Sequence, residues 1–389
     1  MRDVAVVGVG QIKVSEHWER PLREMAVDAA MRAVIDANNI ELKDIDMLVV
    51  GNMLGEITDT QAHLGALIAD YLGIDGIEAY RVEAACGSGA AAFRAAYMAV
   101  AGGFADIALV IGVEQQTNVF FSDITLGLAM AADAEYEILH GASFLALNAL
   151  LKKLYLDKYS DVSEEDLAMF PVIAHENAVH NIYAMYRYKI NVSKVINSPY
   201  VAYPIRLFET APISDGAAAV ILAPLEDAKK YTDTPVIVKA SEVSTDRIYL
   251  ASRDDILLPK AIRISTEKAL RRARVERKDI DFFELHDAYS IMAALSLEAS
   301  GFAEPGSAPK MATEGAYHIG GDLPILTMGG LKARGHPVGA TGVYQIVESV
   351  IQLRGDAGKS QVDGAEVGMA QNVGGVATTV ITTILARGD

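Results

Sequence analysis

Two stretches of this chain repeat each other. Glu41–Asp46 reads ELKDID and Glu276–Asp281 reads ERKDID, differing only at the second position. Each follows an Ala-rich segment of helical pattern, Leu22–Ala37 and then Leu258–Arg272, and each leads into a short apolar strand pattern, MLVVG in one case and FFELH in the other. The correspondence continues downstream. ACGSGAAAFRAAYMAVAGG from Ala85 and GHPVGATGVYQIVESVIQLRG from Gly335 both set a glycine-rich turn ahead of a helix of small and apolar residues. These helices end at Gly102–Gly103 and at Gly355. Both lead into a buried-strand pattern, DIALVIGVE and AEVGMAQNV, and DGAAAVILA from Asp215 then resembles GVATTVITTILA from Gly375. Strands alternating with helices, twice over, predict an α/β fold of two similar halves.

One region interrupts the pattern. Between about Val119 and Pro204 the chain is rich in Met, Tyr and His, and Ser163-Glu-Glu-Asp166 marks a helix start of capping-box type. The expected organisation is a first half from 1–118 and 205–230, a loop domain inserted at 119–204, and a second half from 231–389. With 389 residues, 51% of them hydrophobic, there is material for more than one core. A formal charge of −17 argues against nucleic acid and against an acidic membrane surface as partners. The most apolar runs, such as Ile107–Val113, are too short to span a bilayer. MRDVAVVGVG at the start reads as a strand without a signal-peptide pattern, so a cytoplasmic setting is expected. The single cysteine removes any intramolecular disulfide or Cys-based zinc cluster; among His140, His175 and His180 only the last two, five apart, are closely spaced, and they read as loop-domain surface or pocket residues, so no metal is expected.

Four stretches carry candidate chemistry. Cys86 is the only thiol, and ACGSG places it at the mouth of the following helix, where unpaired N–H groups and the helix dipole favour a thiolate. The same pattern suits an inert core cysteine. In Arg334–Gly342, RGHPVGATG, Pro337 and the glycines hold His336 on a turn before a helix. The plainer reading is a tight turn with a solvated histidine. His286-Asp-Ala-Tyr-Ser290 closes the strand FFEL, where polar groups are well placed for a ligand, although a structural His286–Asp287 pair fits equally. Gln371–Gly375, QNVGG, is a strand-to-turn break able to offer a backbone N–H to an oxyanion. Two other features are weak. Gly8-Val-Gly10 follows a strand, but Lys13 stands where a dinucleotide fingerprint needs its third glycine. Arg187, Lys189 and Lys194 form a basic cluster that suits either nucleotide phosphates or a solvated helix face.

Taken together, ACGSG, PISDGAAAVIL, HDAYS and GHPVGATG, in this order, resemble the thiolase superfamily over nearly the whole chain, and SEEDLAMFPVIAHENA resembles its loop-domain helix. The resemblance implies a five-layer αβαβα fold of two duplicated halves and a homodimer or homotetramer. It implies an acetyl-CoA acetyltransferase acting on coenzyme A thioesters without a bound cofactor. Cys86 would take the acyl group, and His336 would draw the proton from its sulfur. A second acetyl-CoA, deprotonated at its α-carbon, would then attack the acyl-Cys to give acetoacetyl-CoA. One oxyanion hole would use the N–H groups of Cys86 and Gly374, the other His336 with His286.

The chain departs from the family at one point. Most thiolases carry a second catalytic cysteine in a C-x-G motif, where this sequence has Asn372, or in an HDCF loop, where it has Ala288. His286 is therefore expected as the α-proton base, with His336 as the other choice, and Asp287, Tyr289 and Asn372 as further acid/base or orienting groups. The pattern is nearest to archaeal thiolases with HDAY-like loops. Those assemble with 3-hydroxy-3-methylglutaryl-CoA synthase and a protein combining an OB-fold with a zinc ribbon, feeding the mevalonate pathway. Two alternatives remain. One is a thiolase-fold retro-aldolase for β-hydroxyacyl-CoA using Tyr289 and Tyr344; the other is a CoA- or lipid-binding scaffold whose catalysis has decayed.

Overall fold

The computed structural model describes residues 2–388. The repeated hexapeptides fold alike. In each, a short 3-10 turn (Leu42–Asp44 and Arg277–Asp279) is closed by a capping box, Glu41 with Asp44 and Glu276 with Asp279. The last residue of each repeat then serves the neighbouring strand. Asp46 accepts from the N–H groups of Asp106 and Ile107, both at 2.9 Å. Asp281 accepts from those of Glu366 and Val367, both at 2.8 Å. The repeat therefore survives because it pins the start of one strand in each half.

Nine strands form the main sheet: β1 (Val4–Gln11), β2 (Met47–Gly51), β3 (Glu78–Val82), β4 (Ala108–Glu114), β5 (Gly216–Pro224), β6 (Val236–Thr245), β7 (Phe282–Glu284), β8 (Val367–Gly374) and β9 (Thr379–Arg387). Their order is β3-β2-β4-β5-β1-β6-β9-β8-β7. Pairing repeats between halves. β2 and β4 run parallel as β7 and β8 do, and the β4–β5–β1 antiparallel run is matched by β8–β9–β6. The half-sheets join along a seam of only two residue pairs, Ala5 with Ile237 and Val6 with Val236.

Two central helices, Ser88–Gly102 and Thr341–Arg354, pack on each other and between the half-sheets. Helix Leu22–Asp36 covers the outer face of the first half-sheet, and helix Lys260–Ala273 that of the second. These are the five expected layers. Strand alternation feeds two cores at once. Ala108 and Val110 of β4 point into the central core, whereas Leu109, Ile111 and Val113 point into the outer one. Gly8 and Gly10 belong to this packing rather than to a nucleotide loop. A Cβ at Gly10 would sit 2.3 Å from the Ala29 carbonyl of the covering helix, so only glycine lets that helix lie so close.

Two element boundaries differ from the sequence pattern. The Leu258–Arg272 pattern starts its helix only at Lys260, after Pro259. The last strand begins at Thr379 because Gly375 and Ala377 adopt positive φ (62° and 53°) in the preceding turn. Residues 119–204 supply helices Phe144–Lys158 and Met169–Ala178. Leu147, Leu151, Phe170 and Ile173 from these share one core with Ile291, Leu295 and Leu326 of the second half. No helix among the described residues is long and apolar enough to cross a membrane.

Candidate active site

The two central helices begin at the same place. Gly89, in the first turn of one, would place a Cβ 2.8 Å from the Gly339 carbonyl and 3.0 Å from the Gly342 nitrogen at the start of the other. Small residues on both sides let the ACGSG and GHPVG turns meet backbone to backbone. Val338 of the second turn shares an apolar cluster with Cys86. Ala85 takes positive φ (52°) just before the cysteine, a conformation that costs an alanine about 1 kcal/mol or more and is kept where the surroundings dictate it. The Ser88 hydroxyl holds this turn, accepting from the Ala84 N–H (2.9 Å) and donating to the Ala85 carbonyl (2.6 Å).

Cys86 is buried (2% exposed), and its electrostatics reverse the expectation of a thiolate at a helix mouth. Burial pushes the thiol up to about 12, and the charges of Glu114 and Glu83 push in the same direction. The N–H groups of Cys86 and Gly375 oppose this and lose. Desolvation outweighs the helix dipole, so the resting Cys86 is a neutral thiol.

His286 and His336 lie edge to face, ring centroids 5.1 Å apart, and both are buried. Burial, together with the Arg334 charge, lowers His286 to about 3 and His336 well below its ordinary value, the latter also through His286. Both imidazoles are therefore neutral, and their partners differ. Nδ1 of His286 accepts from the Val373 N–H (3.3 Å) and faces the Asn372 amide nitrogen (3.3 Å). A nitrogen that accepts carries no proton, so neutral His286 keeps its proton on Nε2. Nδ1 of His336 lies 2.7 Å from the Thr341 hydroxyl, which itself reaches the Pro337 carbonyl at 3.2 Å. A hydroxyl that donates to that carbonyl accepts from Nδ1–H and leaves Nε2 bare, whereas one that donates to Nδ1 leaves the proton on Nε2. The Ser214 hydroxyl, accepting from the His336 N–H at 2.9 Å, fixes the turn.

The remaining predicted residues are placed as follows. Asp287 does not pair with His286: its carboxylate accepts from the N–H groups of Leu331 (2.7 Å) and Lys332 (3.2 Å), tying the HDAY loop to the turn before His336. Burial pushes Asp287 up to about 6. Tyr289 is half-buried beside Phe144, and burial and the nearby Cys86 raise its phenol. Tyr344 lies outside the site, its hydroxyl donating to the Ile12 carbonyl at 2.8 Å. The basic cluster does not converge. Lys189 pairs with Glu176 (2.6 Å), Lys194 sits over the rings of Tyr188 and Phe208, and Arg187 reaches the Val179 carbonyl at 3.4 Å. Among the described residues, no group of three His, Cys, Asp or Glu could hold a metal ion.

Four supporting residues have no role in the sequence reading. Glu114, fully buried, accepts from Asn52 Nδ2 and from the N–H groups of Met53, Leu54 and Gly339, anchoring the GHPVG turn. The one available signal was a carboxylate closing the apolar run DIALVIGVE. Gln345 donates to the carbonyls of Glu284, Leu285 and Gln371 at 3.0–3.1 Å, clamping together the strand ends that carry His286 and Asn372. Arg334 and Glu348 form a fully buried ion pair (3.0 Å) behind the imidazoles.

Comparison with known proteins then decides the family. The model for Thiolase, N-terminal domain, matches residues 5–196, and that for Thiolase C-terminal domain-like matches residues 242–387. The chain belongs to the thiolase family. An "Acetyl-CoA acetyltransferase" of Methanothermobacter thermautotrophicus is 45% identical to this thiolase over 100% of both chains. One of Methanocaldococcus jannaschii is 41% identical over 99% of each. Among solved structures, "Ltp2-ChsH2(DUF35) aldolase" superposes with a TM-score of 0.86 at 22% identity, covering 99% of this chain and 97% of that one, which shows the shared fold. This thiolase is an enzyme of the acyltransferase class.

Proposed function

We propose that this thiolase joins two molecules of acetyl-CoA into acetoacetyl-CoA, and runs the reverse thiolysis, through an acyl-Cys86 intermediate. The observation that carries this reading is a buried thiol packed against Val338 of the GHPVG turn, with the neutral rings of His336 and His286 5.1 Å apart; His336 is taken as the tautomer in which Thr341 donates to the Pro337 carbonyl and Nε2 is bare. Bare Nε2 of His336 takes the Sγ proton as sulfur attacks the first thioester carbonyl. The N–H groups of Cys86 and of the Gly374–Gly375 turn receive the oxyanion, and His336 returns the proton to the departing CoA sulfur. His336, bare again, removes an α-proton from the second acetyl-CoA, while Nε2–H of His286 donates to the enolate oxygen. The enolate carbon attacks the acyl-Cys, sulfur leaves, and His336 gives it back its proton. One base serves both stages. The tautomer of His286 argues against the expectation that this residue is the α-proton base.

The names of the archaeal relatives support acetyl-CoA as substrate. The structural relative "Ltp2-ChsH2(DUF35) aldolase", a complex by its name, supports a companion protein for this chain too. Condensation is uphill, and handing acetoacetyl-CoA to 3-hydroxy-3-methylglutaryl-CoA synthase, towards mevalonate, would draw it forward. The sheet edge at β3 is open, with Tyr80, Met98 and Phe104 exposed nearby, which supports a homodimer or homotetramer. The retro-aldolase reading loses one of its two tyrosines, since Tyr344 is committed to Ile12.

The test is label exchange between acetyl-CoA and free CoA, alongside acetoacetyl-CoA thiolysis and β-hydroxyacyl-CoA cleavage. Exchange and thiolysis are expected, both lost in Cys86→Ala. Aldol cleavage without exchange, or exchange surviving Cys86→Ala, refutes the proposal.

A further inference from the structure

Asn372 has two contacts. Its Oδ1 accepts from the Ala90 N–H (3.4 Å), in the first turn of the helix that follows Cys86, and its Nδ2 faces Nδ1 of His286 (3.3 Å). We propose that Asn372 is a positioning residue which, with the Val373 amide, locks the proton of His286 on Nε2 and so keeps this imidazole a donor. The inference rests on reading His286 as the enolate-oxygen donor and adds what enforces that role.

The argument is geometric. Asn372 lies on β8, where it pairs with Ile381 of β9, two residues beyond the point at which the pairing of β8 with β7 ends at Ala370. With Oδ1 engaged by Ala90, the amide cannot rotate without setting two donors, or two acceptors, against each other. Two N–H groups, from Asn372 and Val373, thus converge on one lone pair of Nδ1. A proton there would face both of them. Moving it to Nδ1, or adding a second proton, is disfavoured by this pairing in addition to burial. The same side chain joins the helix carrying the nucleophile to the second imidazole, so the two cannot drift apart independently. The charged or titratable groups that face His286 are His336, with ring centroids 5.1 Å apart, and Arg334 from the same turn; Asp287 follows it in its own loop. Asp287 spends its carboxylate on Leu331 and Lys332 and leaves Nδ1 to Asn372 and Val373.

Asn372→Asp tests this with almost no change of shape. A carboxylate would accept a proton from Nδ1, favouring the other tautomer and the imidazolium. Condensation is expected to fall about 100-fold, the loss of one oxyanion donor, with KM nearly unchanged. The acid limb of its pH profile is expected to move up by about one unit or more. In a His286→Asn background, which has no imidazole to orient, the same substitution is expected to cost no more than about twofold. An equal loss in both backgrounds, or an acid limb that stays in place, overturns the proposal. Failure of the donor reading is separately visible: His286→Asn alone would then be dead, whereas the Asn372→Asp pH shift would still report on positioning. The unaltered protein supplies a check independent of variant folding. Nitrogen-15 NMR of histidine-labelled enzyme is expected to show His286, identified by its disappearance in His286→Asn, protonated on Nε2. A proton on Nδ1 overturns the assignment.

Discussion

Replacing Arg334 gives the most quantitative prediction. Its guanidinium lies 3.0 Å from Glu348 with neither side chain exposed. At an effective dielectric of about 20, unit charges at 3.0 Å attract by about 5–6 kcal/mol. That gain offsets a desolvation cost of several kcal/mol for each ion. The offset is incomplete, because Arg334 Nη2 and Glu348 Oε2 have no hydrogen-bond partner. Glu284 adds to the stakes. Burial and then the Glu348 charge push it up to about 8, so it is protonated at neutral pH and leaves Arg334 to Glu348. Arg334→Leu would strand a buried carboxylate and is expected to cost about 3–5 kcal/mol, as is Glu348→Leu. The double variant removes both charges and is expected to cost about 1 kcal/mol, a coupling of several kcal/mol. Urea denaturation at a fixed protein concentration, followed by circular dichroism, measures all three. The guanidinium also holds both imidazoles down, so the acid limb of activity is expected to move upward in the double variant. Single variants each costing under about 1 kcal/mol, or a double costing the sum of the singles, would refute the reasoning.

Other outcomes follow from the same site. Because the thiol is pushed up to about 12, the enzyme at neutral pH holds about a thousandfold less thiolate than an ordinary cysteine of pKa 9. Iodoacetamide labelling of Cys86 is expected to be slow at pH 7 and to keep rising through pH 10; a plateau near pH 8 would contradict the burial argument. His286→Asn preserves an N–H donor and removes a base, so it is expected to keep condensation within about tenfold, whereas His286→Ala loses about 100-fold or more. Equal loss in both would return the base role to His286.

The duplication, the α/β class and the glycine-bounded turns could be read along the chain because each depends on local rules. ELKDID and ERKDID fold into the same capped turn wherever they stand, and GHPVG cannot continue a helix. Cys86, His336 and His286 could be nominated for the same reason: each sits at a break between a strand and a helix. Their states could not be read. A helix mouth predicts a thiolate, but the thiol's environment is set by Glu114 and by a closed apolar cluster distant in sequence. The choice between base and donor for His286 turns on which N–H meets Nδ1, and that group comes from a strand 87 residues away. Residues 119–204 read as an insertion in the first half, yet their apolar side chains are covered by helices of the second. Periodicity tells a side chain that it will be buried. Only the folded arrangement decides what it is buried against, and desolvation and hydrogen-bond direction, which govern acid–base chemistry, depend on that neighbour.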